Sequence, residues 1–203
     1  MTGEDVNAGM LTVAARESSG LPAAVKWRQA PADRLPFGDG EFDAVVCQQG
    51  LQFFPDAAAA LTEAARVSRP GARVAVTVWS PLERSPYFEA QFLAIRQIAG
   101  AQAVTSFEGA FGFPADRITG ALSAAGLRDV RVHEVTVEIR LPRLAEYAVG
   151  HLQALPWGAV VARTRTDGLE AVGALMVERL APHMAADGSV AAPFASLLVS
   201  AAR

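Results

Sequence analysis

The spacing of apolar side chains switches along the chain between a helical and an extended period. Over residues 7–17 it is helical, with Met10, Leu11, Ala14 and Ala15 on one face, Asn7 placed to cap the first turn, and Gly20-Leu21-Pro22 placed to stop it. Residues 24–28 read as a brief strand. The turn-forming run Pro36-Phe37-Gly38-Asp39-Gly40 leads into residues 42–47, FDAVVC, whose almost continuous apolarity predicts a buried strand. Residues 56–67 form an alanine-rich helical pattern closed by Arg69-Pro70-Gly71, and residues 73–79 are strongly β-branched. Strand, helix and strand in that order imply a βαβ unit and an α/β fold.

The pattern softens further on. Residues 86–126 are helical in spacing, interrupted at residues 107–114 by FEGAFGFP, a glycine- and phenylalanine-rich run that suits a mobile loop near a pocket. Residues 130–141 alternate over a long span, as a half-exposed strand does. Residues 144–180 hold two helical stretches around Leu155-Pro156-Trp157-Gly158, and residues 195–201 read as the last strand. There is no internal repeat and no low-complexity linker.

Length and composition narrow the function classes. At 203 residues, 51% of them hydrophobic, the chain is sized for one domain with a substantial core. The longest apolar runs, such as VAVTVW near Val74, fall far short of the roughly 20 residues of a spanning helix. No segment reads as a signal peptide, so the expected location is the cytoplasm, with no membrane partner. Cys47 is the only cysteine, too few for a disulfide and a weak basis for a structural metal site, so no metal is expected. The formal net charge is −3, Lys26 is the only lysine, and the arginines are scattered without a basic stripe, which argues against nucleic acid.

Three segments in order carry a recognisable pattern: EDVNAGML at residues 4–11, ADRLPFGDGEFDAVVCQQGLQFFPD at 32–56, and ARVSRPGARVAVTVW at 65–79. Together they resemble class I S-adenosylmethionine-dependent methyltransferases, above all the group that includes the ubiquinone and menaquinone C-methyltransferases. The likeness covers roughly the first eighty residues well and the rest by order of elements. It implies a Rossmann-like, mostly parallel sheet with helices on both faces, S-adenosylmethionine as cofactor, and methyl transfer to a small-molecule acceptor. An acid at the tip of the second family strand can accept hydrogen bonds from both ribose hydroxyls. The resemblance gives that role to Asp5, whose plainer reading is a cap for the helix that follows. Val6 and Met10 would flank the adenine, or simply pack in the core. Cys47, Gln48 and Gln52 fall beside the methionine part of the cofactor, although the two glutamines read equally as solvated loop residues.

The chain also departs from the family. Ala30-Pro31-Ala32 stands where a Gly-Asp pair commonly supplies a carboxylate to the adenine amino group; Asp33 is shifted along the chain, and Pro31 has no N–H. Adenine recognition would then rest on apolar contact and the Ala32 backbone. No glycine-rich loop follows a strand. Gly38 and Gly40 precede one and read as a turn, and no phosphate-loop Gly-Lys-Ser/Thr is present. Neither Tyr87 nor Tyr147 has a lysine four residues on, which sets aside short-chain dehydrogenases. Met1 to Asp5 align with the interior of the second family strand. The expectation is a domain without its first strand and glycine-rich loop, in which both neighbours of that strand have unpaired edges, to be closed by rearrangement or by a partner's strand.

Methyl transfer from a sulfonium is an in-line displacement, so a base is needed only where the acceptor has a proton to lose. His151, in AEYAVGHLQALPW, is the one candidate for that base, against the plainer reading of a surface helix histidine; His133 reads as structural or exposed and His183 as loop. Trp79 and Trp157 suit core packing or a flat apolar acceptor. Two rival readings stay open: a degenerate, non-catalytic binding or assembly module, and a methyltransferase-like enzyme with another reaction such as a cyclisation. The expected partner is a small-molecule acceptor, with a homodimer left open.

Overall fold

The computed structural model describes residues 1–203. Strand β1 (Thr2–Asp5), helix α1 (Ala8–Glu17) and strand β2 (Lys26–Gln29) are followed by β3 (Phe42–Gln48), α2 (Ala57–Val67) and β4 (Ser68–Trp79). Then come α3 (Pro86–Ala99), the short α4 (Thr105–Glu108), α5 (Ala115–Ala124) and β5 (Arg128–Leu141). Helices α6 (Leu144–Gln153), α7 (Pro156–Thr164) and α8 (Gly168–Arg179) precede the last strand, β6 (Val190–Ala202). The α/β class read from the sequence is the one observed.

The strands form two separate sheets: β1 pairs with β2 in parallel, and β3-β4-β6-β5 form a second sheet in that order. Strands β1 and β3 therefore each have one neighbour. This overturns the expected burial of β3: five of its seven residues would be core in a fully flanked sheet, yet Val46 is 70% exposed and Ala44 is exposed as well. An apolar run predicts a buried strand only where neighbours exist to bury it.

Two compact units divide the chain. The first comprises Met1–Val76, Pro114–Val132 and Val199–Arg203, and the second Thr77–Phe113 and His133–Leu198. In the first unit α2 packs on α5, burying Leu61, Ala64, Ile118 and Leu122, with Val74, Val76 and Val199 completing the core. In the second, α3 and α6 pack on α8, and α7 joins them. Phe92, Ile95, Phe107, Leu152, Val161 and Met176 are buried there.

Several local expectations need correction. Residues 144–180 hold three helices, because Pro156 starts α7 immediately after the turn that ends α6, and Asp167-Gly168 starts α8. The run FEGAFGFP is only partly loop: Phe107 and Glu108 belong to α4, and Phe107 is buried with its ring 4.5 Å from Trp157 and 5.3 Å from Phe111. Strand β4 begins five residues before the predicted start, at Ser68, because Gly71 donates to the Arg203 carbonyl and Arg203 to that of Ala72, pairing the Arg-Pro-Gly run with the chain's last residues.

The turn between β2 and β3 is fastened by Arg66. Its guanidinium donates to the backbone carbonyls of Phe37 (2.8 Å) and Leu35 (3.1 Å), to Asp39 (2.8 Å) and to both oxygens of Glu63 (2.6 and 2.8 Å). Glu63 in turn accepts from the Leu35 N–H at 2.8 Å, and the Arg66 carbonyl from Gly40 at 2.9 Å. Gly40 has φ +65°, which glycine adopts without steric cost. The hydrogen bonds from Arg66, ahead of any other influence, hold the Glu63 carboxyl below its ordinary range. A planar fork suits five acceptors, three on the turn and two on Glu63 of α2, and an ammonium does not. Replacing Arg66 with Ala should lower the urea-unfolding free energy by about 2–4 kcal/mol, and Arg66→Lys should recover less than half of that; equal stability of the Lys variant would show the fork to be dispensable.

Candidate functional site

The turn fastened by Arg66 brings β3 alongside β1 at the edge of a cavity of about 710 Å³ lying wholly in the first unit. Its walls include Glu4, Asp5 and Val6 at the end of β1, Pro31, Ala32 and Asp33 after β2, and Val45, Val46, Cys47 and Gln48 of β3. Successive side chains on a strand point to opposite faces. Four consecutive β3 residues can line one cavity only if the strand turns its edge toward it. The cavity therefore opens along the unpaired edge of β3 and at the tip of β1.

Local hydrogen bonds explain how β1 presents its acids. Gly3 pairs with Trp27, and a Cβ at Gly3 would lie 2.1 Å from the Trp27 ring, so only glycine lets the indole lie across the strand. The Trp27 indole N–H donates to the Ser18 hydroxyl at 3.1 Å, tying β2 to the end of α1. After β1, the Asn7 side chain accepts from the N–H groups of Gly9 and Met10, the cap expected from the sequence. Asp5 accepts from the Asn7 N–H at 2.7 Å, while the Gln29 amide donates to the Val6 carbonyl at 2.9 Å. One Asp5 oxygen is thus engaged in shaping the turn, and the residue still lines the cavity. The cap reading of Asp5 is corrected: Asn7 caps α1, and Asp5 instead holds the turn ahead of it.

Of the residues singled out in the sequence, Asp5, Val6, Met10, Ala32, Cys47 and Gln48 all line this cavity. Met10 and Val6 are 57% and 66% exposed, so neither is core packing. Gln52 is not among the lining residues. Its amide nitrogen donates to the Gln49 carbonyl at 3.1 Å, and its Oε1 is buried without a partner, so it is not a solvated loop residue either. His151 lies in the second unit, away from this cavity's lining.

Three of the cavity's acids, Glu4, Asp33 and Asp56, had no site role in the sequence reading. Asp33, shifted from its expected place, lines the cavity because a turn closed by the Arg34 N–H to the Pro31 carbonyl at 3.0 Å swings it back. Glu4, beside the more obvious Asp5, is half-buried, and burial followed by repulsion from Asp5 pushes its carboxyl up to about 7. The Cys47 thiol is also raised, chiefly by burial, opposed by hydrogen bonds from the backbone at Gly50 and Leu51 and reinforced by the field of Glu4 across the cavity. With Asp56, whose Oδ1 caps α2 through the Ala59 N–H at 2.9 Å, four carboxyl groups line the cavity, and no Lys, Arg or His does. Such a wall favours a cationic ligand and disfavours phosphate.

Residues 1–76 match the family described as methyltransferase domain. Over 151 residues the chain is 36% identical to demethylmenaquinone methyltransferase of Mycolicibacterium vanbaalenii, covering 66% of each chain. It is 39% identical over 126 residues to demethylmenaquinone methyltransferase of Mycobacterium tuberculosis, covering 58% of this chain and 53% of that one. The chain thus spans between about half and two thirds of the length of these relatives. Among solved structures, the YcgJ protein of Bacillus subtilis superposes with TM-score 0.55 at 15% identity over 100% of this chain and 81% of its own. Phosphoethanolamine N-methyltransferase 2 of Haemonchus contortus gives 0.57 at 17%, over 100% and 43%. The architecture is the Rossmann-like fold of class I methyltransferases. In sequence and in fold, the chain is similar to the S-adenosylmethionine-dependent methyltransferases of that class.

The raised Glu4 carboxyl has a consequence for stability. An acid that titrates higher in the folded state binds more protons than the unfolded chain between the two values, so its contribution is complete below about pH 4.5 and is lost as pH rises through about 7. Thermal unfolding followed from pH 5 to pH 8 should show Glu4→Gln gaining about 1–2 kcal/mol relative to the parent across that interval. Parallel curves for the two proteins would mean that Glu4 titrates as an ordinary surface acid.

Proposed function

We propose that the first-unit cavity binds S-adenosylmethionine and that the protein transfers its methyl group to a small-molecule acceptor. The observation that carries this reading is the cavity wall: acids at Glu4, Asp5, Asp33 and Asp56 without one basic side chain, around an apolar floor that includes Val6, Met10, Leu51 and Phe54. S-adenosylmethionine joins a sulfonium, an ammonium and a carboxylate to an adenine and a ribose, with one net positive charge and no phosphate, so an acidic wall attracts it where the phosphates of a dinucleotide or nucleotide would be repelled. Asp5, at the tip of β1, suits the ribose hydroxyls; Val6 and Met10 suit the adenine faces; Cys47 and Gln48 suit the methionine portion.

No side chain has to perform covalent chemistry in such a reaction. A nucleophile held in line with the methyl carbon takes it as the carbon–sulfur bond breaks, and S-adenosylhomocysteine leaves neutral at sulfur. The chain's contribution is to hold the donor, exclude water and favour positive charge until it disperses. The names of the mycobacterial relatives suggest a quinone-derived ring as the acceptor class.

Calorimetric titration of the full chain with S-adenosylhomocysteine tests the cofactor half of the proposal without knowledge of the acceptor. Binding is expected, with NAD giving no heat under the same conditions, and Asp5→Ala should weaken it by about tenfold or more, the loss of a charge-assisted pair of hydrogen bonds. Failure of the unaltered chain to bind, or unchanged affinity in the variant, would overturn the cofactor assignment.

A further inference from the structure

In the second unit, three polar groups meet inside an aromatic cluster. Tyr87 on α3 is 1% exposed, and its hydroxyl lies 2.9 Å from Nδ1 of His151 on α6. Gln91, one turn along α3 and fully buried, places its amide nitrogen 3.4 Å from the same Nδ1, while its Oε1 is buried without a partner. The Tyr147 ring is stacked on the imidazole at 5.6 Å and 20°, and Tyr147 is 40% exposed. Phe88 and Phe194 also pack on Tyr87, at 5.6 Å each.

Proton positions follow from counting donors. A Tyr hydroxyl has one proton, and the only acceptor within reach of Tyr87 is Nδ1 of His151. Were Nδ1 protonated, it would donate to the Tyr87 oxygen and leave the Tyr87 O–H buried without an acceptor, at a cost of about 1–3 kcal/mol. With Nδ1 unprotonated, its single lone pair accepts from the Tyr87 hydroxyl at 2.9 Å, and the Gln91 amide shares it weakly at 3.4 Å. The imidazole is then neutral with its proton on Nε2, which makes no hydrogen bond within the protein. Burial favours the neutral ring as well, since it lowers the affinity of His151 for a second proton, and burial likewise keeps the Tyr87 hydroxyl protonated.

We propose that Tyr87 and Gln91 are positioning residues that fix His151 as its Nε2–H tautomer, so that His151 presents a hydrogen-bond donor, and not a base, at Nε2. This is the opposite of a general base, which would need a free lone pair on Nε2. It does not depend on the cofactor assignment in the first unit, and the two can fail separately.

Nitrogen-15 correlation spectra of the full chain report the tautomer of each of its three histidines. The His151 signals are identified by their disappearance in His151→Gln. The expected pattern at pH 8 is a protonated Nε2 and an unprotonated Nδ1, and a protonated Nδ1 would overturn the proposal whatever the protein's activity. Tyr87→Phe, which keeps the ring packing, should shift His151 to a mixture of tautomers; an unchanged spectrum would remove Tyr87 from the arrangement.

Discussion

Backbone amides and carbonyls have to be paired or hydrated, and in this protein that requirement decides where the site can be. The sheet is divided between β1 and β3, leaving each with a single paired neighbour. A strand edge without a partner cannot sit in a dry core. The space beside β3 is therefore open to solvent, and the cavity is the form that this opening takes. Its size, the exposure of Val46, and the half-buried state of Glu4 all follow from the same division. An acid at the tip of a two-stranded ribbon is desolvated only as far as its neighbours allow, which is why Glu4 reaches about 7 and no further.

Much of the first unit could be read directly from the chain because its signals are local. Asn7 and Asp56 cap their helices by hydrogen bonds that span two or three residues, and a side chain of that length at that position has few alternatives. The turn ahead of β3 is likewise encoded by Gly40 and its neighbours, although the part played by Arg66 is not, since its acceptors lie some thirty residues upstream. The six cavity residues came from motif order and not from periodicity. Gln52 fell outside the cavity because a 3₁₀ turn at Leu51–Phe53 folds its amide back on Gln49.

What the pattern could not supply is any property that depends on who the neighbours are. Residues 42–47 have the composition of a central strand, and composition says nothing of whether both flanks are occupied. Glu4 and Asp5 differ little as letters; only the fold shows that Asp5 shapes a turn while Glu4 is desolvated beside its neighbour's charge. The second unit was the least legible. Its core is held by rings brought together from residues 79 to 194, and such contacts leave no trace in spacing.

His151 illustrates how far function depends on that long-range level. From the sequence it is a histidine on a helix after a strand, and the role it suggests is a base. Which nitrogen carries the proton is set by residues sixty and more positions earlier, and reversing the tautomer would reverse the chemistry without moving an atom of the ring. The arrangement has a physical logic of its own. A buried hydroxyl needs an acceptor, and one imidazole nitrogen supplies it while leaving the ring's proton on the other nitrogen. The requirement that opens the first unit along β3, that buried polar groups find partners, thus also determines what His151 presents at Nε2 in the second.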